Sequence, residues 1–292
     1  MLSNLVTFAT CFSLATAIPF TPELLRRQQP NYPDNGTRVN PPNITSLSRA
    51  NPTYTQDQLN QVKLACTAVE RLALIRTFGN TDDYFKFDLT PQGSHSNAAN
   101  GLGGQGYLAE VGNYPVLMGT GLSVAIGYLN PCGLDSIHLH NRATEMITLV
   151  SGISLKTGFV LEDGFGEHTP WGNNDDQLTI FRSTRLTEIG LYQDTMRPQG
   201  SLHWEFNDHY EPAVFVASLS NEDPGVSGTA QNFFINPQDI VDADLAYPTW
   251  LDNVNTTDYR AQLPAAFAQG AKECYARCNI TYDTNQAGGI SK

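Results

Sequence analysis

Ile137-His138-Leu139-His140-Asn141-Arg142-Ala143-Thr144-Glu145-Met146-Ile147 decides how this chain is read. Side chains alternate along an extended strand, so His138 and His140 share one face and Leu139 takes the other. Glu145 follows five residues after His140, at the start of an apolar run. A lone buried histidine is usually a hydrogen-bonded core residue. Two at i and i+2 on an otherwise apolar strand lack a local partner, and imidazole plus carboxylate suits a divalent first-row metal. The chain has only six histidines: His95, His138, His140, His168, His203 and His209. His203 follows the turn Pro198-Gln199-Gly200 and supplies a third imidazole if it faces the same interior.

The surroundings of this stretch are strand-like. Short β-rich runs recur at Leu122–Leu129, Glu145–Val150, Ile153–Leu161, Leu178–Phe181, Arg185–Tyr192, Ser201–Phe206 and Ala213–Leu219. Gly152, Asp163-Gly164, Asn173-Asn174 and Gly200 punctuate them, which predicts an all-β sandwich or barrel. Apolar spacing predicts one amphipathic helix over Asp57–Thr77. Further helices are expected at Pro237–Ala246 and Pro264–Cys278. Gly93–Gly106 reads as a loop.

With both motifs quoted, the sequence resembles a known family. His138-x-His140-x4-Glu145-x6-Gly152, then Pro198-x-Gly200-x2-His203-x3-Asn207, looks like the two paired motifs of cupins. Asn141-Arg142-Ala143-Thr144-Glu145 is close to the germin-like branch, and the whole resembles secreted single-cupin proteins of the germin and spherulin type. The resemblance covers residues 55 to 280 and implies a jelly-roll β-barrel with one metal inside and helical N- and C-terminal arms. It carries His138, His140, Glu145 and His203 over as ligands, usually of manganese; the donor set also accepts iron, zinc, nickel or copper. Asn207 is expected as a supporting or turn residue behind them. The implied domain order is a signal peptide (1–17), an extended arm (18–55), the cupin domain with flanking helices (56–280, barrel core about 115–236) and a tail (281–292).

The chain departs from the family pattern at three places. Cys132-Gly133 replaces a pair of glycines before the first motif. Tyr192 stands where the second motif usually opens with glycine. Two asparagines that help hold oxalate in cereal oxalate-oxidising germins fall on Asp135 and Ala125. An ionised Asp135 would repel a dianion and Ala125 donates nothing, which argues against oxalate oxidation.

Composition bounds the rest. The 292 residues carry 29 acidic and 17 basic side chains, a formal charge of −12, which argues against a nucleic-acid partner. Met1–Ala17 is uncharged, apolar and ends Ala15-Thr16-Ala17, the pattern of a secretory signal peptide. No other segment reaches the ~18–20 apolar residues that span a bilayer. Arg26-Arg27 is either a dibasic processing site or two exposed arginines. Sequons at Asn35, Asn43, Asn255 and Asn279 agree with secretion to the extracellular space or cell wall. Removing Cys11 with the signal leaves Cys66, Cys132, Cys274 and Cys278, enough for two disulfides in three pairings.

The expected function is a secreted manganese oxidoreductase of superoxide-dismutase type, acting on a small anionic or neutral substrate. The alternative is a non-catalytic extracellular or spore-wall protein with a structural metal. Oxalate oxidation, or a dioxygenase or isomerase reaction on a small metabolite, ranks below both. The helical arms make a homo-oligomer conceivable. Gly101-Leu102-Gly103-Gly104-Gln105-Gly106 fits a dinucleotide pattern but lacks the strand before it and the helix after it, so nucleotide binding is set aside.

Overall fold

A computed structural model describes residues 51–79, 82–93, 98–161, 184–251, 254–264 and 266–283. All fall in the unit Ser48–Lys292; residues 1–50 lie outside the described residues, and with them the expected signal peptide and Arg26-Arg27. The expected strand Leu178–Phe181, His95 and His168 lie outside them too.

Among the described residues, twelve strands follow in chain order: β1 (Ala98–Gly101), β2 (Gly104–Ala109), β3 (Ser123–Leu129), β4 (Gly133–Leu139), β5 (Glu145–Ser151), β6 (Ser154–Val160), β7 (Thr184–Gly190), β8 (Asp194–Arg197), β9 (Leu202–Phe206), β10 (Ala213–Leu219), β11 (Ser227–Gly228) and β12 (Phe267–Gln269). They form two antiparallel sheets. One runs β1-β2-β3-β10-β5-β8 and the other β11-β4-β9-β6-β7, with β12 paired to β4. The alternation is visible in burial. Glu145, Ile147 and Leu149 of β5 face inward, as do Ala213, Phe215, Ala217 and Leu219 of β10. Ile147, Leu149, Ala213, Phe215 and Ala217, with Leu129, Leu155, Ile189 and Phe267, make the apolar core between the sheets. At about 25 cal/mol per Å² of apolar surface this burial is the main force closing the two sheets on each other.

The expected helix Asp57–Thr77 is two helices, α1 (Gln56–Leu64) and α2 (Ala68–Thr77). Each starts with a capping box, Thr55 with Gln58 and Thr67 with Glu70, and the second box breaks the periodicity at Thr67. Past the barrel come α3 (Thr229–Phe233), α4 (Gln238–Asp244), α5 (Thr256–Gln262) and α6 (Lys272–Arg277). The expected helix Pro264–Cys278 is therefore helical only over Lys272–Arg277, because Phe267–Gln269 leaves the helical path to pair with Gly133–Asp135.

That pairing explains the glycine cluster. The expected loop Gly93–Gly106 instead contains the β1–β2 hairpin, over which β12 passes. A Cβ on Gly101 would run into the backbone carbonyl oxygen of Phe267, and one on Gly103 into that of Ala268. The cluster serves close backbone approach.

The two places where glycine is missing from the family pattern have a shared geometry. Cys132 (φ 56°) and Tyr192 (φ 61°) both keep the left-handed conformation that glycine adopts freely. Strain of ~1–2 kcal/mol at such a site outweighs the ~0.4–1 kcal/mol of unfolded-state entropy that glycine adds. Tyr192 is 70% exposed, so little packing is at stake. Tyr192→Gly should raise stability by about 0.5 kcal/mol in urea unfolding.

Of the four cysteines expected to pair, one disulfide forms: Cys132–Cys274, with Cα atoms 5.7 Å apart. Cys66, exposed between α1 and α2, and Cys278, just past α6, are free thiols. The expectation of two disulfides is corrected to one among the described residues.

Candidate metal centre

His138 and His203 face each other directly across the β4–β9 pair. The register shifts between Asp135 and His138, a bulge that turns the end of β4 toward the interior. His140 lies one residue beyond β4. Glu145 opens β5 in the other sheet, opposite Arg197 of β8. The site therefore bridges the two sheets, with three imidazoles from one and a carboxylate from the other. Ligand-type atoms of His138, His140, Glu145 and His203 lie within 4.8 Å of one another.

Each imidazole is oriented by a backbone carbonyl. His138 Nδ1 donates to Ser136 O at 2.8 Å, His140 Nδ1 to Gly225 O at 2.7 Å and His203 Nδ1 to Ser201 O at 2.8 Å. With the proton on Nδ1, each Nε2 lone pair is free for the shared centre. Glu145 Oε2 lies 3.0 Å from His203 Nε2, and Glu145 Oε1 3.7 Å from His140 Nε2. Both Glu145 Oε2 and His203 Nε2 are buried without a hydrogen-bond partner. Orphaned buried atoms of this kind are costly unless something else satisfies them, and a cation in the centre of the cluster does so.

Electrostatics point the same way. Burial, reinforced by the neighbouring imidazole of His203, pushes His138 down to about 3, so it stays neutral. Burial would raise Glu145, but the imidazoles of His140 and His203 beside its oxygens outweigh it and hold the carboxyl well below its ordinary range. For His203 the order of forces is reversed in outcome: burial lowers it, yet the Glu145 carboxylate 3.0 Å away and the nearby Glu205 raise it.

A second layer sits beside the cluster. Glu205, two residues after His203, shares its inward face and pairs with Arg197 at 3.0 Å, each side chain 1% exposed. Arg197 also donates to Thr157 Oγ1 and, at 2.9 Å, to Thr195 O. Burial, with Glu205 and Glu145 close by, pushes the Asp135 carboxyl well above its ordinary range. The expectation of an ionised Asp135 repelling a dianion is thereby altered: without a cation beside it, Asp135 is held toward its neutral form. Three carboxyls, Asp135, Glu145 and Glu205, thus interact at close range, and Arg197 pairs directly with Glu205.

Asn207 is buried but turns away from the cluster, donating to Asn130 O at 2.9 Å and Glu211 O at 2.7 Å. It pins two turns, the structural half of what the sequence suggested. His209 hydrogen-bonds Ser154 and joins no cluster. Sequence reasoning missed Arg197 and Glu205. The alternation rule would have found Glu205, because i+2 from His203 shares its face; Arg197 carries no local signal.

The cupin family model matches residues 93–245, a span that includes all four cluster residues. The chain belongs to the cupin family. This cupin is 31% identical to spherulin-1B of Physarum polycephalum over 226 residues, 77% of this chain and 79% of that one. It is 30% identical to germin-like protein 8-2 of Oryza sativa subsp. japonica over 156 residues, 53% of this chain and 62% of that one. A solved oxalate oxidase aligns with a TM-score of 0.48 at 19% identity, covering 62% of this cupin and 84% of that chain. The two antiparallel sheets are the cupin fold, sheet-rich with a few helices. The four-residue cluster of the cupin makes a metal site of His and Glu donors chemically sound.

His138 should make the metal-free cupin sensitive to acid. With a folded pKa depressed from 6.5 to about 3, it contributes stability above pH 6.5 that is lost as pH falls through that window, because the unfolded chain takes the proton and the folded one does not. His203, Asp135 and Glu205, whose pKa values are raised, work the other way and contribute more as pH falls. Comparison with a variant isolates His138: in chelator, the change in thermal midpoint from pH 7 to pH 4 should be more destabilising in the wild type than in His138→Gln, and an equal change in both proteins would refute the assignment.

Proposed function

We propose that this cupin is a secreted protein that binds one divalent metal, manganese by preference, through His138, His140, Glu145 and His203, and acts as an oxidoreductase of superoxide-dismutase type. The observation that carries the reading is the pair of orphaned buried atoms, Glu145 Oε2 and His203 Nε2, among imidazoles whose Nδ1 protons are tied to backbone carbonyls. When bound, the metal supplies one-electron exchange. The chain's part is to hold three neutral imidazoles and one carboxylate in place and to keep bulk water out.

Access supports a very small reactant. Side-chain exposure is 12% at His138, 7% at His140, 5% at Glu145 and 1% at His203. A centre this enclosed favours a reactant of superoxide's size over a bulky metabolite, and a divalent metal less one carboxylate leaves it locally positive toward an anion. The same enclosure favours the second reading, a non-catalytic extracellular protein with a structural metal. Secretion is supported by the Cys132–Cys274 disulfide and by the exposed sequon residues Asn255 and Asn279. No helix among the described residues is long and apolar enough to cross a membrane.

The deciding experiment is superoxide consumption by manganese-loaded protein beside His140→Ala. The proposal expects turnover that falls to the free-metal background in the variant. Full metal occupancy without turnover would establish the structural reading instead.

A further inference from the structure

The third sulfur of the C-terminal cluster, Cys278, is its one free thiol and has no part in the metal chemistry. The disulfide Cys132–Cys274 ties the β3–β4 turn to α6, and both residues are sealed, at 0% and 1% exposure. Tyr275, Phe206, Ile280 and Tyr282 pack around them. Cys278 belongs to the same cluster but is only half-buried, and its Sγ lies 3.9 Å from Cys274 Sγ. A thiol from solvent cannot reach the disulfide directly, whereas Cys278 already touches it and also faces outward.

We infer that Cys278 is a thiol-exchange site that relays low-molecular-weight thiols to the buried disulfide. In the first step the Cys278 thiolate attacks Cys274 Sγ. A bond forms between the sulfurs of Cys278 and Cys274, the Cys274–Cys132 bond breaks, and Cys132 leaves as a thiolate that takes up the proton Cys278 lost. No oxidant or reductant is consumed. The product is sterically allowed: residues four apart on a helix are separated by about 6 Å, inside the ~4.4–6.8 Å a disulfide spans. In the second step a small thiol attacks the half-exposed Cys278 sulfur, forms a mixed disulfide there, and releases Cys274 as a thiol.

The consequence falls on the barrel. Cys132 immediately precedes β4, the strand that carries His138. After exchange the covalent link lies within the C-terminal segment, and β12 pairing with Gly133–Asp135 and the Gly270 N–H bond to Cys132 O at 2.8 Å are what hold that segment to the strand.

The test uses the folded full chain with Cys66→Ser, which removes the unrelated exposed thiol, with and without Cys278→Ser; neither change touches the disulfide. Each protein is incubated with reduced glutathione at a pH of about 8.5, near the free thiol pKa, then quenched in acid, alkylated and peptide-mapped. Loss of the Cys132–Cys274 link should be at least about tenfold slower in Cys66→Ser/Cys278→Ser. Early samples of Cys66→Ser should also contain a peptide joined internally through Cys274 and Cys278, with Cys132 alkylated. Equal rates in the two proteins, or absence of that peptide throughout the reaction, would overturn the inference.

Discussion

Arg197→Met should unfold this cupin or cost it about 3–5 kcal/mol, and Arg197→Met/Glu205→Gln should regain most of the loss. Both side chains of the pair are 1% exposed, so neither charge has water to fall back on. Removing the guanidinium alone leaves Glu205 buried without its partner, in the neighbourhood of Glu145 and Asp135. Removing both charges leaves shapes of similar volume and a smaller penalty, because a buried ion pair offsets little more than its own desolvation. Thr157 would lose the donor it shares with Arg197, so recovery should stop short of full. Urea unfolding of the two singles and the double gives the coupling energy. A double variant as unstable as the sum of the singles would mean that the pair is not a unit.

Stripping the metal should lower the thermal midpoint by about 10 °C. An ion present at a thousand times its dissociation constant stabilises by about 4 kcal/mol. A domain of this size shifts by ~2–4 °C per kcal/mol. The chain-specific reason is that chelation returns Glu145 Oε2 and His203 Nε2 to the unsatisfied state. His140→Ala should start from the stripped midpoint and gain almost nothing from added manganese, since its loss removes one donor from a set of four. A stripped wild type that melts with the loaded one would show that no ion is held by the cluster.

The centre of the cupin was legible because its signal is local. His138 and His140 needed only the alternation of a strand, and His203 a turn followed by a strand; β3, β5, β6, β9 and β10 all coincide with expected runs to within two residues at either end. What was not legible is non-local. The glycines at 101 and 103 have no meaning until β12 arrives from some 165 residues later and lays its carbonyls on them. The same arrival turned the first part of an expected C-terminal helix into a short strand, Phe267–Gln269. Arg197 looks like any charged residue before a proline until it is seen to reach across to Glu205. The missing glycines at 132 and 192 were noticed as departures in identity, yet the backbone kept their left-handed conformation, so the fold survived both. Cysteine counting suggested two bridges because parity cannot tell which thiols meet; Cys278 meets a sulfur that is already bonded.

The central claim, that His138, His140, Glu145 and His203 hold one divalent metal, is tested most directly by elemental analysis with electron paramagnetic resonance. The sample is protein purified from manganese-replete culture without chelator. About one manganese per chain with the spectrum of a protein-bound divalent ion is expected, and none in His140→Ala. Metal-free wild type, or equal metal in wild type and variant, would contradict it.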